Sequence, residues 1–311
     1  GDDFSGVDAR GAALAGGDFR ETFFEIGNFE EADLSAANLE RAVLARANLR
    51  GANLSGACLR RANLGEADLT GADLTGADLT EAVLYRATLH DVDLSGSTLD
   101  GANAWEIDLR RAKLRGARVH DTSFTRVTLS DVDASGAAFT EVSFIESTVD
   151  GLDLSGATGS GLSFVASKGA RIRFVDAAIE KLSMLGECAF PGAEFTGAKV
   201  PGAALRGTDL EGARFERADL VGADLSECNA RDASFRFAVA TASVWVRTEL
   251  AGADLRDAKL LDATMHKARV ASADFRGASR FQAVLAGSKG DDATTFDGAD
   301  LRRVRQPRRA T

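Results

Sequence analysis

The residue types that could carry out catalysis or bind a metal are few in this chain and are not grouped. Three histidines occur: His90 and His120 are expected on different faces of the fold, and His266 lies far from both in the sequence. No set of cysteines and histidines has the short spacings of a zinc site. No serine, histidine and aspartate form a convincing triad. The sequence therefore predicts a protein that is not an enzyme and that binds no metal, cofactor or small molecule.

Arginine and carboxylate groups are plentiful, and their spacing indicates an electrostatic role. Six residues placed 20 apart alternate in sign without an error: Arg46, Glu66, Arg86, Glu106, Arg126 and Glu146. If a coil of the fold contains 20 residues, these side chains stack, and opposite charges in the stack attract each other. Each exposed pair contributes only about 0–1 kcal/mol. We expect the series to fix the register of the coils.

A second series has the same spacing but a single sign. Arg236, Arg256 and Arg276 would stack as like charges, which repel unless an anion or an acidic partner neutralises them. The three arginines are therefore candidate residues for binding an acidic partner. Further arginines lie in the basic C-terminal segment 302–311, where the alternatives are a solvated tail and an electrostatic contact with an acidic protein.

The elements that position these side chains follow from a period of five residues. Nearly every fifth residue from Phe4 to Met184 is Leu or Phe, the register of this series does not slip, and Ala usually stands two residues before the central residue, as in Ala67-Asp68-Leu69. This period fits neither a helix nor a free strand. It indicates a solenoid, in which each unit buries its apolar side only by stacking on copies of itself. One extra residue before Phe190 predicts a local bulge.

Length and composition limit the organisation and the class of partner. Three prolines in 311 residues leave little room for linkers, which favours one continuous array. A net charge of −10 disfavours direct nucleic-acid binding. No apolar run approaches 18 residues and no signal peptide is visible, so we expect a cytoplasmic protein without membrane association. The start at Gly1, within a repeat, suggests that the chain is part of a longer polypeptide.

The unit Ala-(Asp/Asn)-Leu-x-x resembles the repeat of the pentapeptide-repeat family over essentially the whole chain. The resemblance implies an all-β fold, a right-handed quadrilateral β-helix of about fifteen coils with four pentads per coil. In this fold Leu or Phe and Ala point inward. We expect the solenoid to occupy residues 1–301 as a single domain, with residues 302–311 as a tail.

Twenty residues per coil place apolar side chains on one side of the solenoid. An exposed apolar stripe is typical of a contact surface, and Tyr and Trp are common anchors of interfaces. The alternative is that another part of the same polypeptide covers the stripe. The candidate protein-binding residues are Phe23, Ile26, Val83, Tyr85, Trp105, Ile145, Val165 and Leu185.

Three functions are compatible with this pattern. The Phe-rich middle and the ending 291–309 resemble the C-terminal repeat domains of type VI secretion accessory proteins, which implies a protein-binding scaffold that acts as an adaptor for spike or effector proteins. The first alternative is a DNA mimic that binds a type II topoisomerase, as some members of the family do. A continuous acidic column would favour it, and the strip Asp73–Asp153 comes nearest to one. The second alternative is a structural spacer.

Overall fold

The computed structural model describes residues 1–279, 285 and 287–298, and the chain divides into two compact units. The first unit is residues 1–157 and the second begins at Thr158. Both are built of strands, single bridges and turns, and the described residues contain no helix. The first unit contains β1 (Asn103–Trp105), β2 (Arg118–Thr125) and β3 (Ala138–Ile145). The second contains β4 (Thr158–Ser160), β5 (Ser163–Val165), β6 (Ala178–Glu180) and β7 (Ser183–Leu185).

Every pairing in the first unit is parallel and joins residues 20 apart. The bridges run from Asp3 with Phe23 to Asp133 with Asp153, and β1, β2 and β3 pair in the same register. Twenty residues are four pentads, so the predicted β-solenoid is confirmed. This turn length gives about eight turns in residues 1–157 and about six in residues 158–279, whereas the expected fifteen coils extended over residues 1–301. The extension of one array over residues 1–301 stays a prediction, and residues 299–311, including the basic tail, lie outside the described residues.

The hydrogen bonds of a single pentad explain its composition. In residues 67–71, four of the five backbone N–H groups donate to backbone carbonyls at 2.8–3.0 Å. One of these carbonyls belongs to the same coil, and the other three belong to the coils before and after it. The fifth N–H group, that of Thr70, donates instead to Oδ1 of Asp68 at 3.0 Å. An Asp or Asn before the central Leu therefore satisfies the donor that the solenoid leaves without a backbone partner.

The last residue of a pentad turns the corner with a left-handed backbone. Gly71 has φ 70°, but Ala36 and Glu66 adopt φ 53° and 59° at equivalent corners. A side chain in this conformation costs roughly 1–2 kcal/mol, which glycine avoids. The corner therefore favours glycine, and the other residues that occupy it, many of them charged, adopt the same positive φ at this cost.

The core of the first unit consists of the central Leu and the preceding Ala of each pentad. Leu69 and Leu74 are fully buried, as is Ala67. The inward placement of these residues is confirmed. Phe4 belongs to the same series but is exposed, because within the chain only the following turn covers it, through Phe24 at 5.9 Å between ring centroids.

The core of the second unit contains a stack of aromatic rings. Phe174, Phe195, Phe215 and Phe235 lie 4.5–4.9 Å apart from centroid to centroid and are parallel to within 8°. Trp245 packs edge-on against the last ring at 4.9 Å. The spacing of stacked coils is about 4.8 Å, so one Phe per coil at the same position gives this stack directly.

The predicted slip of register lies in the second unit. Lys168 pairs with Ala189 and Ser183 pairs with Ala204, both 21 residues apart, whereas Ala189 pairs with Asp209, 20 apart. The extra residue therefore lies between Ser183 and Ala189. A second extra residue, which the sequence analysis did not place, follows Lys289, because Asp274 pairs with Thr295.

Candidate protein-binding surfaces

Tyr85 and Trp105 form an aromatic pair on the surface of the first unit. Trp105 ends β1 and Tyr85 occupies the equivalent position one turn earlier, and the ring centroids are 5.2 Å apart. Trp105 is 41% exposed and Tyr85 is partly buried. The Arg86 guanidinium lies 4.8 Å from the centre of the Tyr85 ring, and its Nε donates to Glu106 at 2.7 Å. Neighbouring side chains on two turns therefore hold the pair in one orientation.

A groove adjoins the aromatic pair because two small residues precede Tyr85 in its column, the set of residues that stack on one another at intervals of 20. Gly65 lies one turn before Tyr85 and Ala45 lies two turns before it, and they form the floor of a groove of about 450 Å³. Its complete lining is Glu25, Ala45, Arg46, Asn63, Gly65, Glu66, Val83 and Tyr85. The groove interrupts the predicted stripe, whose other exposed members in this unit, Phe23 (46%) and Ile26 (59%), are not in its lining.

The remaining predicted residues divide between the two units. In the first unit, Ile145 of β3 is partly buried and pairs with Thr125, which pairs in turn with Trp105. In the second unit, Val165 of β5 pairs with Leu185 of β7, and Leu185 is 48% exposed. Two further exposed apolar side chains of the second unit, Val221 and Phe237, were not predicted from the sequence. Phe237 stands at a corner that usually holds glycine or a charge, a signal that the sequence did contain.

The alternating charge series is formed over four of its six members. Arg86 pairs with Glu106 at 2.7 Å, and Arg126 contacts both Glu106 at 3.8 Å and Glu146 at 2.9 Å. Arg46 pairs with Glu25 instead. Glu66 consequently has no ion pair within the described residues, and its carboxylate lies beside the groove.

The arginine series of the second unit is neutralised within the unit. Asp254 lies 3.8 Å from Arg236 and 2.6 Å from Arg256. Asp274 lies 3.6 Å from Arg256 and 2.7 Å from Arg276, and hydrogen bonds from Arg276 hold the pKa of Asp274 well below its usual range. The repulsion that pointed to an acidic partner is therefore largely removed. Binding of such a partner by these arginines stays a prediction.

The acidic strip of the first unit is not continuous. Asp73 and Asp93 pair in register, but the next position is Lys113, whose Nζ lies 3.2 Å from Asp93. Arg115 then pairs with Asp133. A DNA mimic requires a run of unpaired negative charge, and basic side chains interrupt it here.

The histidine, cysteine and carboxylate side chains of the described residues are dispersed over the two units. No three of their His, Cys, Asp and Glu side chains are grouped closely enough to hold a metal ion. His90 Nε2 lies 2.7 Å from Asp108 Oδ2 in a partly buried ion-pair cluster that also includes Arg110. Burial raises the pKa of the Cys228 thiol to about 12, while Cys58 is partly exposed. No helix in this part of the chain is both long and apolar enough to cross a membrane.

The comparison with protein families agrees with this geometry. The family model described as "Pentapeptide repeats" matches this chain at residues 28–65, 62–101, 93–131, 122–158, 183–212, 208–243 and 246–279. The chain belongs to the pentapeptide-repeat family. Members of this family generally act as scaffolds for protein interactions, and no catalytic family is indicated.

Several solved pentapeptide-repeat structures are similar to this chain. QnrB1, a plasmid-mediated fluoroquinolone resistance protein, is 18% identical, with 56% of this chain and 92% of that chain covered and a TM-score of 0.45. HetL, involved in heterocyst differentiation regulation in Nostoc sp. strain PCC 7120, is 24% identical, with 77% and 89% covered and a TM-score of 0.32. A protein of the Arabidopsis thaliana thylakoid lumen is 30% identical, with 32% and 67% covered and a TM-score of 0.23. No curated protein sequence gives a significant match.

Proposed function

We propose that this pentapeptide-repeat protein is a non-catalytic scaffold that binds another protein through Tyr85, Trp105 and the adjoining groove. The observation that carries the proposal is the exposed aromatic pair, in which Tyr85 and Arg86 support a 41% exposed Trp105. An aromatic side chain that is already oriented loses little conformational entropy when a partner covers it. Tyr and Trp are also the residues that most often dominate the binding energy of an interface.

The groove specifies the kind of contact. Gly65 and Ala45 lower its floor, and Tyr85 and Val83 provide apolar walls, so an apolar side chain of the partner fits beside the Tyr85 ring. Glu66, which has no ion pair among the described residues, lies at the edge of the groove and favours a basic residue next to that side chain. The partner surface therefore combines an apolar anchor with a neighbouring cation.

The partner that we propose is a spike or effector protein of a type VI secretion system, met in the cytoplasm. The support is the resemblance of the Phe-rich pattern to the repeat domains of accessory proteins of that system. A topoisomerase-binding DNA mimic is less well supported, because Lys113 and Arg115 interrupt the acidic strip. A spacer would require no exposed anchor such as Trp105.

A pull-down from a lysate of the host cell tests the proposal. The baits are the parent protein, a Tyr85→Ala/Trp105→Ala variant, and a Val221→Ala/Phe237→Ala control that removes two exposed apolar side chains from the second unit. We expect the parent and the control to capture a spike or effector protein and the aromatic variant to lose it. Capture of a type II topoisomerase by all three baits would support the DNA mimic. Capture of no protein would support the spacer.

A further inference from the structure

The second unit contains a basic groove that the aromatic surface of the first unit does not involve. The groove measures about 360 Å³ and is lined by Arg247, Glu249, Lys267, Arg269, Gly287 and Lys289. It therefore collects four cationic side chains and one carboxylate in a chain whose net charge is −10. Such a local reversal of sign is costly unless another group compensates it.

The cations stack directly instead of alternating with carboxylates. Arg247 and Lys267 stand 20 residues apart in one column, and Arg269 pairs in register with Lys289 in the next. Coils lie about 4.8 Å apart, so each column places like charges at close range. This arrangement is opposite to that of the first unit, where Arg86 and Arg126 flank Glu106.

Neighbouring carboxylates do not neutralise the groove. Glu227 is shared between Arg247 at 3.4 Å and Arg206 at 3.1 Å. Glu249 is likewise shared between Arg269 at 3.1 Å and Arg231 at 3.4 Å.

Two ammonium groups of the groove form no ion pair with the described residues. Within the described ranges, neither Lys267 nor Lys289 has a carboxylate within 4.0 Å. Both lysines are exposed. The unpaired positive charge of the groove therefore consists of two lysine side chains.

Gly287 keeps the space between these side chains open. A Cβ atom at this position would meet Lys267 Cγ at 3.4 Å and His266 Cε1 at 3.8 Å, so any longer side chain would fill part of the groove. The glycine also has φ 71°, which the corner demands. The groove can accordingly admit a chain with side groups of its own.

We propose that this groove binds an acidic, extended peptide segment of a protein partner, with Lys267 and Lys289 pairing to its carboxylates. Arg247 and Arg269 already contact glutamates, so their guanidinium groups are not free to bind a phosphate group through two parallel hydrogen bonds. Two separate ammonium groups act as point charges and suit carboxylates that are spaced along a chain. The basic groove lies in the second unit and the aromatic surface in the first, so variants of one site test its binding without changing the other.

Titration of the full chain with N-acetyl-hexaglutamate amide at low salt tests this proposal. Amide NMR signals of Gly287 and Lys289 are expected to shift, and the affinity to fall as salt screens the charges. A Lys267→Gln/Lys289→Gln variant is expected to bind about tenfold more weakly. The control Lys168→Gln/Lys181→Gln, which removes the same charge from exposed sites of the same unit, is expected to bind like the parent.

Three results would overturn the proposal. The first is the absence of binding by the hexaglutamate peptide at low salt. The second is an equal loss of affinity in both double variants, which would mean attraction by overall charge only. The third is that inorganic phosphate at the same concentration shifts the same signals and displaces the peptide, which would identify a site for small anions.

Discussion

Removal of the carboxylate of Asp73 tests the physical explanation of the repeat. Oδ1 of Asp73 accepts the backbone N–H of Thr75 at 2.9 Å, and the equivalent bond recurs at Asp33, Asn53, Asp93, Asp133 and Asp153. Asp73→Ala leaves the N–H group without its partner. A hydrogen bond to a charged acceptor contributes about 1.5–3 kcal/mol when buried. Thr75 is only half-buried, so water can reach the freed group in part. We therefore expect a loss of about 1 kcal/mol.

The matched variant Asp73→Asn keeps the oxygen and removes the charge. Asp73 pairs in register with Asp93, so this variant also removes a like-charge contact. We expect its stability to equal or slightly exceed that of the parent. The stability of a repeat protein is a sum of local terms, so amide hydrogen exchange at Thr75 is the most direct assay. A loss of about 1 kcal/mol corresponds to roughly fivefold faster exchange. Equal exchange in the Ala and Asn variants would refute the reasoning.

Three further predictions concern the core and the thiols. Leu74→Ala removes a fully buried side chain between fixed coils, so unfolding in urea should show a loss of about 2–5 kcal/mol, and an unchanged midpoint would contradict its inward packing. The Trp245 Nε1–H donates to Ser243 Oγ at 2.6 Å, so Ser243→Ala should cost about 1–3 kcal/mol in the parent and clearly less in a Trp245→Phe background. Equal losses in the two backgrounds would show that the bond is unimportant. Cys58 should react with a thiol reagent at least about 100-fold faster than Cys228, whose pKa burial raises to about 12, and rapid labelling of both would contradict this burial.

The fold could be predicted from the sequence because the same three structural requirements recur from pentad to pentad. Leu69 and Ala67 must point inward, Asp68 must accept the N–H of Thr70, and the corner at Gly71 must tolerate a positive φ. These requirements are local, and a period of five expresses them directly. The slip before Phe190 was visible for the same reason, since one extra residue shifts every later position.

The partners of the charged side chains could be predicted only in part. Counting in steps of 20 follows one column at a time, which was sufficient for Arg86, Glu106 and Arg126. Long side chains also reach sideways, and Arg46 therefore pairs with Glu25, which lies in the neighbouring column. Asp254 similarly neutralises Arg256 from the adjacent column.

The two grooves could not be predicted from the sequence for a related reason. The groove beside Tyr85 depends on the small residues Ala45 and Gly65, which carry no apolar signal of their own. The basic groove depends on Lys267 and Lys289, which stand in two different columns. Neither feature is a run of similar residues at one spacing, so the repeat pattern alone does not show them.

Fluorine NMR of the protein labelled with 5-fluorotryptophan tests the central claim most directly. The chain has two tryptophans, Trp105 on the surface and Trp245 in the core, so two signals report on the proposed contact and on an internal reference. When the protein captured in the pull-down is added, we expect the Trp105 signal to shift and to lose its sensitivity to solvent, while the Trp245 signal stays in place. A Trp105 signal that is unchanged at saturating partner would contradict the claim that this protein binds through its aromatic surface.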